Sequence, residues 1–464
     1  MKRLLPIRQR GRPRLPRPWA AVVALSLLTL SAVALAWFAP NARIDHASMA
    51  IDPAIAAGPA RGQSQPVYVA FERDAAYIGF QMSSDAGATW LAEDRIVGQG
   101  VAPEVAADAE GSVYVFYSDS AHVNCVRTTD DGATWSPASR VDDCKTGRAD
   151  GARVAFDSAG NLVCVWCDDR SAEYRVRSSV STDHGATWSP SVCVHDEVMP
   201  YDCGGNDVFV QPVTNHYFVT GTEPYEVRPG LISKHSFLYR STDGGQSFDA
   251  GVQLDTFDKY CSSPHVVADD NHVICDYSGS TQTSGVLIFT ESRTLWTAND
   301  SWGPCTPVTD LDTDYISYYC GDLAISADAR VHTALMISPI YGYHHVYYAA
   351  SSDYGASWSA REQVDDDSTD KQYPDIAADA TGHVYLVWID GRGGLWFSTN
   401  NPAAIAEGQP QPAASRPSAA IVRRLSPGTT VFDAMGRRVV DPKPGIYFVR
   451  AAAAAAPRKV LLVE

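Results

Sequence analysis

The chain has 464 residues, 45% hydrophobic and 10% aromatic, enough to bury a core, so wholesale disorder is excluded. A net charge of -17, from 54 Asp+Glu against 37 Lys+Arg, argues against a nucleic-acid partner, which would select the opposite sign. The acidity is uneven: residues 41–401 hold 50 acids and 21 bases, while residues 1–40 hold seven Lys/Arg and no acid.

Residues 1–39 join a basic start, Lys2 to Arg17, to an uncharged run from Trp19 to Ala39 that contains Ala34-Leu35-Ala36. This is the pattern of a cleaved export signal, with an uncleaved single-span anchor as the alternative. Both predict an extracellular or outer-surface location, with membrane contact only through export or that anchor. Ten cysteines, an even count in an exported chain, then predict disulfide staples, and none falls in a zinc-type spacing.

Over residues 40–401 the sequence repeats. Ser/Thr-x-Asp-x-Gly-x-Thr/Ser-Trp/Phe occurs at 83–90, 128–135, 181–188, 241–248 and 351–358, with degenerate copies at 297–302 and 398–401. Its third position, Asp85, Asp130, Asp183, Asp243 and Asp353, suits a turn whose backbone N–H groups bond the carboxylate. Gly87, Gly132, Gly185, Gly245 and Gly355 allow positive φ, and the closing aromatic suits packing between sheets. These aspartates are therefore read as structural. Strands opening with Pro-x-Ile/Val-Ala or a near variant recur at 53, 103, 152, 264, 321 and 374, with a divergent copy near 206, each followed by a turn and an apolar strand. Seven openings predict an all-β, seven-bladed propeller of four-stranded blades, with six blades as the alternative. The last repeat lacks a fourth strand, so residues 42–50, which include the isolated "RID" at 43–45, are expected to complete the seventh blade.

This octapeptide resembles the Asp box of the sialidase-like β-propellers, and the resemblance covers residues 41–401. It implies a ligand site at the tunnel mouth, on the rim opposite the Asp-box turns. Loops there carry Arg73, Arg170 and Arg392, which could grip a carboxylate, together with Asp169 and Asp390 and the blade-leading tyrosines Tyr319 and Tyr373. A sialidase uses an arginine cluster, a tyrosine nucleophile and a carboxylic acid. The Arg-Ile-Pro element of that family is missing near the first blade, and the Asp/Arg loops are themselves repeated, so pairing within each loop is the competing expectation. The expected role is recognition of an extracellular glycan or glycoprotein by a monomer. The alternatives are an exo-α-sialidase-type hydrolase and a non-catalytic adhesive or structural surface protein. No cofactor is implied. Calcium is the one ion for which oxygen ligands stand in a run, at Asp310, Asp312 and Asp314, although the Gly and Glu of an EF-hand loop are missing.

Residues 402–420 are a Pro/Ala-rich linker, and residues 421–464 read as three short strands of a β-sandwich-like module. The string 431–450 resembles the sorting domain of proteins exported by type IX secretion, which implies delivery to the cell surface or beyond.

Overall fold

A computed structural model describes residues 41–402 except 171–173, 196–204, 229–230, 256–258, 282–287, 309–314 and 340–341, together with five short strands beyond residue 419. The expected N-terminal signal and the 310–314 run lie outside the described residues. Among those described, the regular structure is almost entirely strand.

Seven antiparallel sheets follow one another along the chain, and the seven-blade expectation holds over six. Their inner strands are Ala50–Ala57, Val101–Ala107, Ala149–Phe156, Asp207–Val210, Lys259–Ala268, Tyr315–Ile325 and Lys371–Ala378. Each contacts the next, and the last contacts the first, which closes the ring. Ala42–Arg43 forms the outer strand of blade 7, with Ala42 opposite Phe397 and Arg43 opposite Trp396. The Ile44 N–H extends this pairing to the Leu395 carbonyl at 2.9 Å. Residue 50 already belongs to blade 1, so the latch is shorter than 42–50.

The second strands, such as Val113–Ser118, Leu162–Asp168 and Val384–Asp390, are apolar runs because both of their faces are covered by neighbouring blades. The core is accordingly a set of layers between blades. One joins Val67, Val69 and Phe71 of blade 1 to Tyr385, Val387 and Phe397 of blade 7, with Ile44 of the latch. Another joins Tyr68 and Phe80 of blade 1 to Val113 and Val115 of blade 2.

The octapeptide turns link third to fourth strands and bond as their composition demands. In the first, Asp85 accepts from the Thr89 N–H at 2.8 Å, the Thr89 hydroxyl at 2.7 Å and the Ser83 hydroxyl at 2.7 Å. Asp130, Asp183, Asp243 and Asp353 repeat that set. The glycine is required twice over. Gly132 has φ +78°, and a Cβ there would meet the Phe80 ring of the preceding blade at 2.6 Å. Trp135, which closes that turn, packs edge-on against the same ring at 5.1 Å.

The cysteines need a correction. Cys125, Cys144, Cys164, Cys193, Cys275 and Cys305 are free thiols, most of them buried, and Cys167 is disulfide-bonded. Cys125, Cys164 and Cys275 lie in strands that bury them as small apolar groups.

Residues 406–464 form a separate unit. Its strands Ala420–Val422, Thr430–Phe432, Arg438–Val439, Gly445–Arg450 and Arg458–Leu462 make one sheet, in which 420–422 runs parallel to 458–462. Thr430–Phe432 and Arg438–Val439 are the two arms of a hairpin where the sequence suggested one strand, and 420–422 adds another.

Candidate functional site: an axial ring beneath an uneven mouth

Six of the seven inner strands are interrupted at the same place, and that of blade 4 begins at the equivalent residue, Asp207. Register shifts precede Ala54, Glu104, Arg153, His265, Asp322 and Asp375. A residue with positive φ stands two places before most of these: Asp52 (48°), Ala102 (49°), Gly151 (65°), Ser263 (49°) and Tyr373 (52°), with Gly205 (99°) before Asp207. A bulge bends a strand and re-aims the side chain after it. Here it brings seven equivalent positions to the axis, occupied in blade order by Ala, Glu, Arg, Asp, His, Asp and Asp, with Asp52 supplying blade 1.

These groups sense one another across the ring, as they must if they share one axis. Arg153 lies 3.3 Å from Glu104 and is held charged by Glu104, Asp322, Asp207 and Asp52, which outweigh its burial. Depth in the ring penalises the carboxylates: burial drives Glu104 up to about 8, against the pull of Arg153. Asp322 also rises to about 8, through burial and repulsion from Asp375, with which it shares a hydrogen bond. Asp207 and Asp375 rise to about 6, chiefly through burial. The side chains of Arg153 and Glu104 still keep 38% and 19% of their surface accessible, so this part of the ring is open to solvent. Two of the acids also tie blades together. Asp375 accepts the Ile55 N–H of blade 1 at 2.8 Å, and Asp207 accepts the Val266 N–H of blade 5 at 2.8 Å. His265 bonds Asp276 at 3.0 Å, and Thr333 reaches the other oxygen of that carboxylate.

The mouth is uneven. Second strands have six or seven residues in blades 1, 2, 3 and 7, but 12, 10 and 9 in blades 4, 5 and 6 (Tyr217–Arg228, His272–Thr281 and Val331–Pro339). The extra residues all point toward the mouth, so blades 4 to 6 rise as a wall of about 7 to 17 Å at ~3.3 Å per residue.

On this rim the three arginines do not converge. Arg73 pairs with Asp74 at 3.2 Å and Asp94 at 3.5 Å. Arg170 grips Asp168 at 2.6 and 2.9 Å and Asp143 at 2.7 Å. Arg392 binds Asp390 at 2.7 and 2.9 Å, Asp367 at 2.6 Å and Asp366 at 3.0 Å. The carboxylate clamp expected of them is therefore corrected: each guanidinium is consumed by its own and adjoining loops, which is the geometry the repeat favours. Asp390 also takes a hydrogen bond from Thr369 at 2.9 Å, and the buried Lys371 ammonium lies 3.5 Å away. Asp169 accepts the Arg148 N–H, which pins the loop leading into blade 3.

Tyr373 is 50% exposed and serves as a bulge residue, with no hydrogen bond to its hydroxyl among the described residues. Tyr319 pairs through its backbone with Met336, and its side chain lies outside the described residues. Asp276 and Tyr277 are buried within the strand His272–Thr281. Among the described residues no group of three His, Cys, Asp or Glu side chains is placed to hold a metal ion. The ring itself escaped the sequence reading, although its signal was there: the variable residue of Pro-x-Ile/Val-Ala is the axial position.

No family model matches the chain. A xyloglucanase of Paenibacillus sp is 27% identical over 227 residues, 46% of this chain, and the chain spans only 20% of that relative. Among solved structures, a Hadza microbial sialidase superimposes with a TM-score of 0.45 at 12% identity, covering 74% of each chain. An α-L-arabinofuranosidase of Fusarium graminearum gives 0.44 at 11% identity, over 77% of this chain and 96% of the other. A Dyadobacter fermentans protein of unknown function gives 0.46 at 13%, over 77% and 97%.

Proposed function

We propose that the chain is an exported propeller that binds a glycan at the mouth of its axial channel. One observation carries this reading. A position needed only by the scaffold is filled by the same residue in every repeat, as the turn aspartates are. The axial position is instead filled by Glu104, Arg153, Asp207, His265, Asp322 and Asp375, a mixture that suits a ligand rather than the ring. The likeness to a xyloglucanase supports a sugar polymer as that ligand. Export is supported by the basic and apolar start of the sequence and by the sorting-like tail.

Affinity electrophoresis tests the proposal, with soluble xyloglucan, arabinan and a sialylated mucin cast separately into native gels. Retardation by at least one polymer is expected, with loss of about ten-fold in affinity for a Glu104→Gln/Arg153→Met protein whose thermal midpoint is retained. Free migration in all three gels would end the proposal.

A hydrolase is the second reading, favoured by the split between Glu104 and Asp322, raised to about 8, and Asp207 and Asp375, raised to about 6. At neutral pH such a set holds both a protonated acid and an ionised base, the pairing glycoside hydrolysis uses. Release of reducing ends from the retarding polymer would establish it. The sialidase form is not carried forward, because Arg73, Arg170 and Arg392 are already neutralised. No turnover of a fluorogenic sialoside is expected.

A further inference from the structure

We infer that Tyr373, with Tyr343 on the neighbouring blade, is the platform on which the mouth of the channel stacks a sugar ring. The inference rests on the glycan reading above and names the part of the ligand that is read: a ring face made of C–H bonds, as β-linked glucose and xylose present.

The first observation is where the exposed rings lie. Of the seven large apolar or aromatic side chains exposed among the described residues, four stand on the mouth rim of three consecutive blades: Tyr343 in blade 6, Tyr373 in blade 7, and Met49 and Tyr77 in blade 1. On the opposite rim, the aromatics that close the octapeptide turns are tucked between sheets instead. Trp90 lies 4.9 Å from Phe397, Trp135 5.1 Å from Phe80 and Trp188 5.9 Å from Phe116, between ring centroids. Tyr343 and Tyr373 belong to segments tied to each other: the Lys371 N–H donates to the His344 carbonyl at 3.0 Å, and Asp370 accepts the His344 N–H at 2.9 Å. Apolar side chains scattered singly over a surface need no explanation, but aromatic ones gathered on one rim mark a binding surface.

The second observation is what Tyr373 costs the backbone. The left-handed position of the bulge is filled by Asp52, Ala102, Gly151 and Ser263 in blades 1, 2, 3 and 5, and by Gly205 before the axial residue of blade 4. All are small or tolerate positive φ. Tyr373 takes the same conformation, φ 52°, with a large side chain, which the backbone alone disfavours. The ring gains little from the protein in return: it is half exposed, with no hydrogen bond, ring contact or cation over its face among the described residues. The bulge that carries it is nevertheless firmly seated. Pro374 packs on Gly321 of blade 6, where a Cβ would meet its Cγ at 2.8 Å, and Asp375 accepts the Ile55 N–H of blade 1 at 2.8 Å. A rigid exposed ring two residues from the axial Asp375 is preorganised for a ligand at the channel mouth.

The charges nearby are occupied with one another. Arg73 pairs with Asp74 and Asp94, Lys371 with Asp367, Arg392 with Asp366, Asp367 and Asp390, and His344 with Asp370. Ring faces are what this arc of the mouth offers. A sugar can lay its C–H face on such a ring while its hydroxyls reach polar groups at the edge, such as the exposed Gln372 amide.

Affinity electrophoresis of the full chain in soluble xyloglucan provides the test. Asn accepts the left-handed backbone, so Tyr373→Asn removes the ring without adding strain. It should lose about five-fold or more in affinity while its thermal midpoint stays at or above that of the parent. Tyr373→Phe, which keeps the face and drops the hydroxyl, should bind within about two-fold of the parent, and Tyr343→Ser should weaken binding by about two-fold or more. Saturating xyloglucan should also protect Tyr373 from nitration by tetranitromethane, read by peptide mass mapping. Parental affinity or a lowered midpoint in Tyr373→Asn, equal losses in Tyr373→Phe and Tyr373→Asn, or undiminished nitration with polymer bound overturns the inference while leaving glycan binding intact. Retardation of the parent by arabinan or mucin but not by xyloglucan also overturns the inference alone. Retardation by none of the three overturns the glycan reading, and this inference with it.

Discussion

Carboxylates do opposite work at two places in the same repeat. In the turns, hydrogen bonds from hydroxyl and backbone donors stabilise the ionised form: Thr134 and Thr128 bring Asp130 down to about 2, and Ser247 and Ser241 do the same for Asp243. A depressed carboxyl contributes stability that is present above its unfolded value near 4 and lost as pH falls toward 2. At the axis the sign reverses. The folded protein holds protons on Glu104 and Asp322 up to about pH 8 that the unfolded chain has released by about 4–5, so stability declines as pH rises through that window. The thermal midpoint should therefore peak on the acid side of neutrality and fall toward both ends. Asp322→Asn should flatten the alkaline limb, raising the midpoint at pH 8 by about 2–4 °C and hardly at all at pH 4. Asp130→Asn should weaken its turn and make the acid limb shallower. Scanning calorimetry from pH 3 to 9 checks both, and an unchanged slope between pH 5 and 8 in the Asp322→Asn protein would refute the axial assignment. The turn aspartates were legible in the sequence because their partners lie within four residues. The axial acids were not, because they stand on strands far apart in the chain, most of them re-aimed by a bulge, and their identities vary. The arginines were legible as residues but not as bound ones, since Asp143 lies 27 residues from Arg170 and Asp366 lies 26 from Arg392.

Blades are finished by a rule that the fourth strand reveals. Its Val/Ile/Leu-Asp ending buries the apolar residue and turns the aspartate onto the first N–H groups of the third strand. Asp142 accepts from Val123 at 2.9 Å, Asp365 from Val346 at 2.8 Å and Asp45 from Leu395 at 2.7 Å. Blade 3 substitutes His195, whose ring meets the Val176 N–H at 3.4 Å. Asp45 is what marks "RID" as the missing piece of blade 7, a piece readable in the sequence because the same ending recurs elsewhere. Ile44 is 2% exposed within the layer between blades 7 and 1. Ile44→Ala should cost about 2–4 kcal/mol, visible as a lower denaturant midpoint at constant slope. Removing residues 41–45 should do more, exposing the edge at 395–399 and promoting association; a monomeric protein of parental stability would count against the latch. The tall hairpins of blades 4 to 6 were less legible, because Pro224, Gly279 and Pro339 stand within their strands, where such residues ordinarily mark the end of one.

At the scale of the molecule, the acidity of residues 41–401 divides into parts with different meanings. Part folds turns, part caps third strands, part neutralises arginines at the mouth, and a few, Glu104 and Asp322 among them, face the axis as groups whose charge burial suppresses. A strongly acidic composition is therefore compatible with a channel that carries less charge at neutral pH than its sequence implies. The two-residue pairing of Ala42–Arg43 with Trp396–Phe397 has a further consequence for assembly. It joins positions more than 350 residues apart, so the bond that shuts the ring cannot form until almost the whole propeller has been synthesised. Until then blade 7 has an unfilled place that any copy of residues 42–43 fits, its own or a neighbour's. Beginning the chain at Ala50 and attaching residues 41–49 after Asn401 through a short glycine linker would turn that longest connection into an ordinary hairpin. Such a permutant should keep the native spectrum, refold faster and lose the dependence of refolding yield on protein concentration.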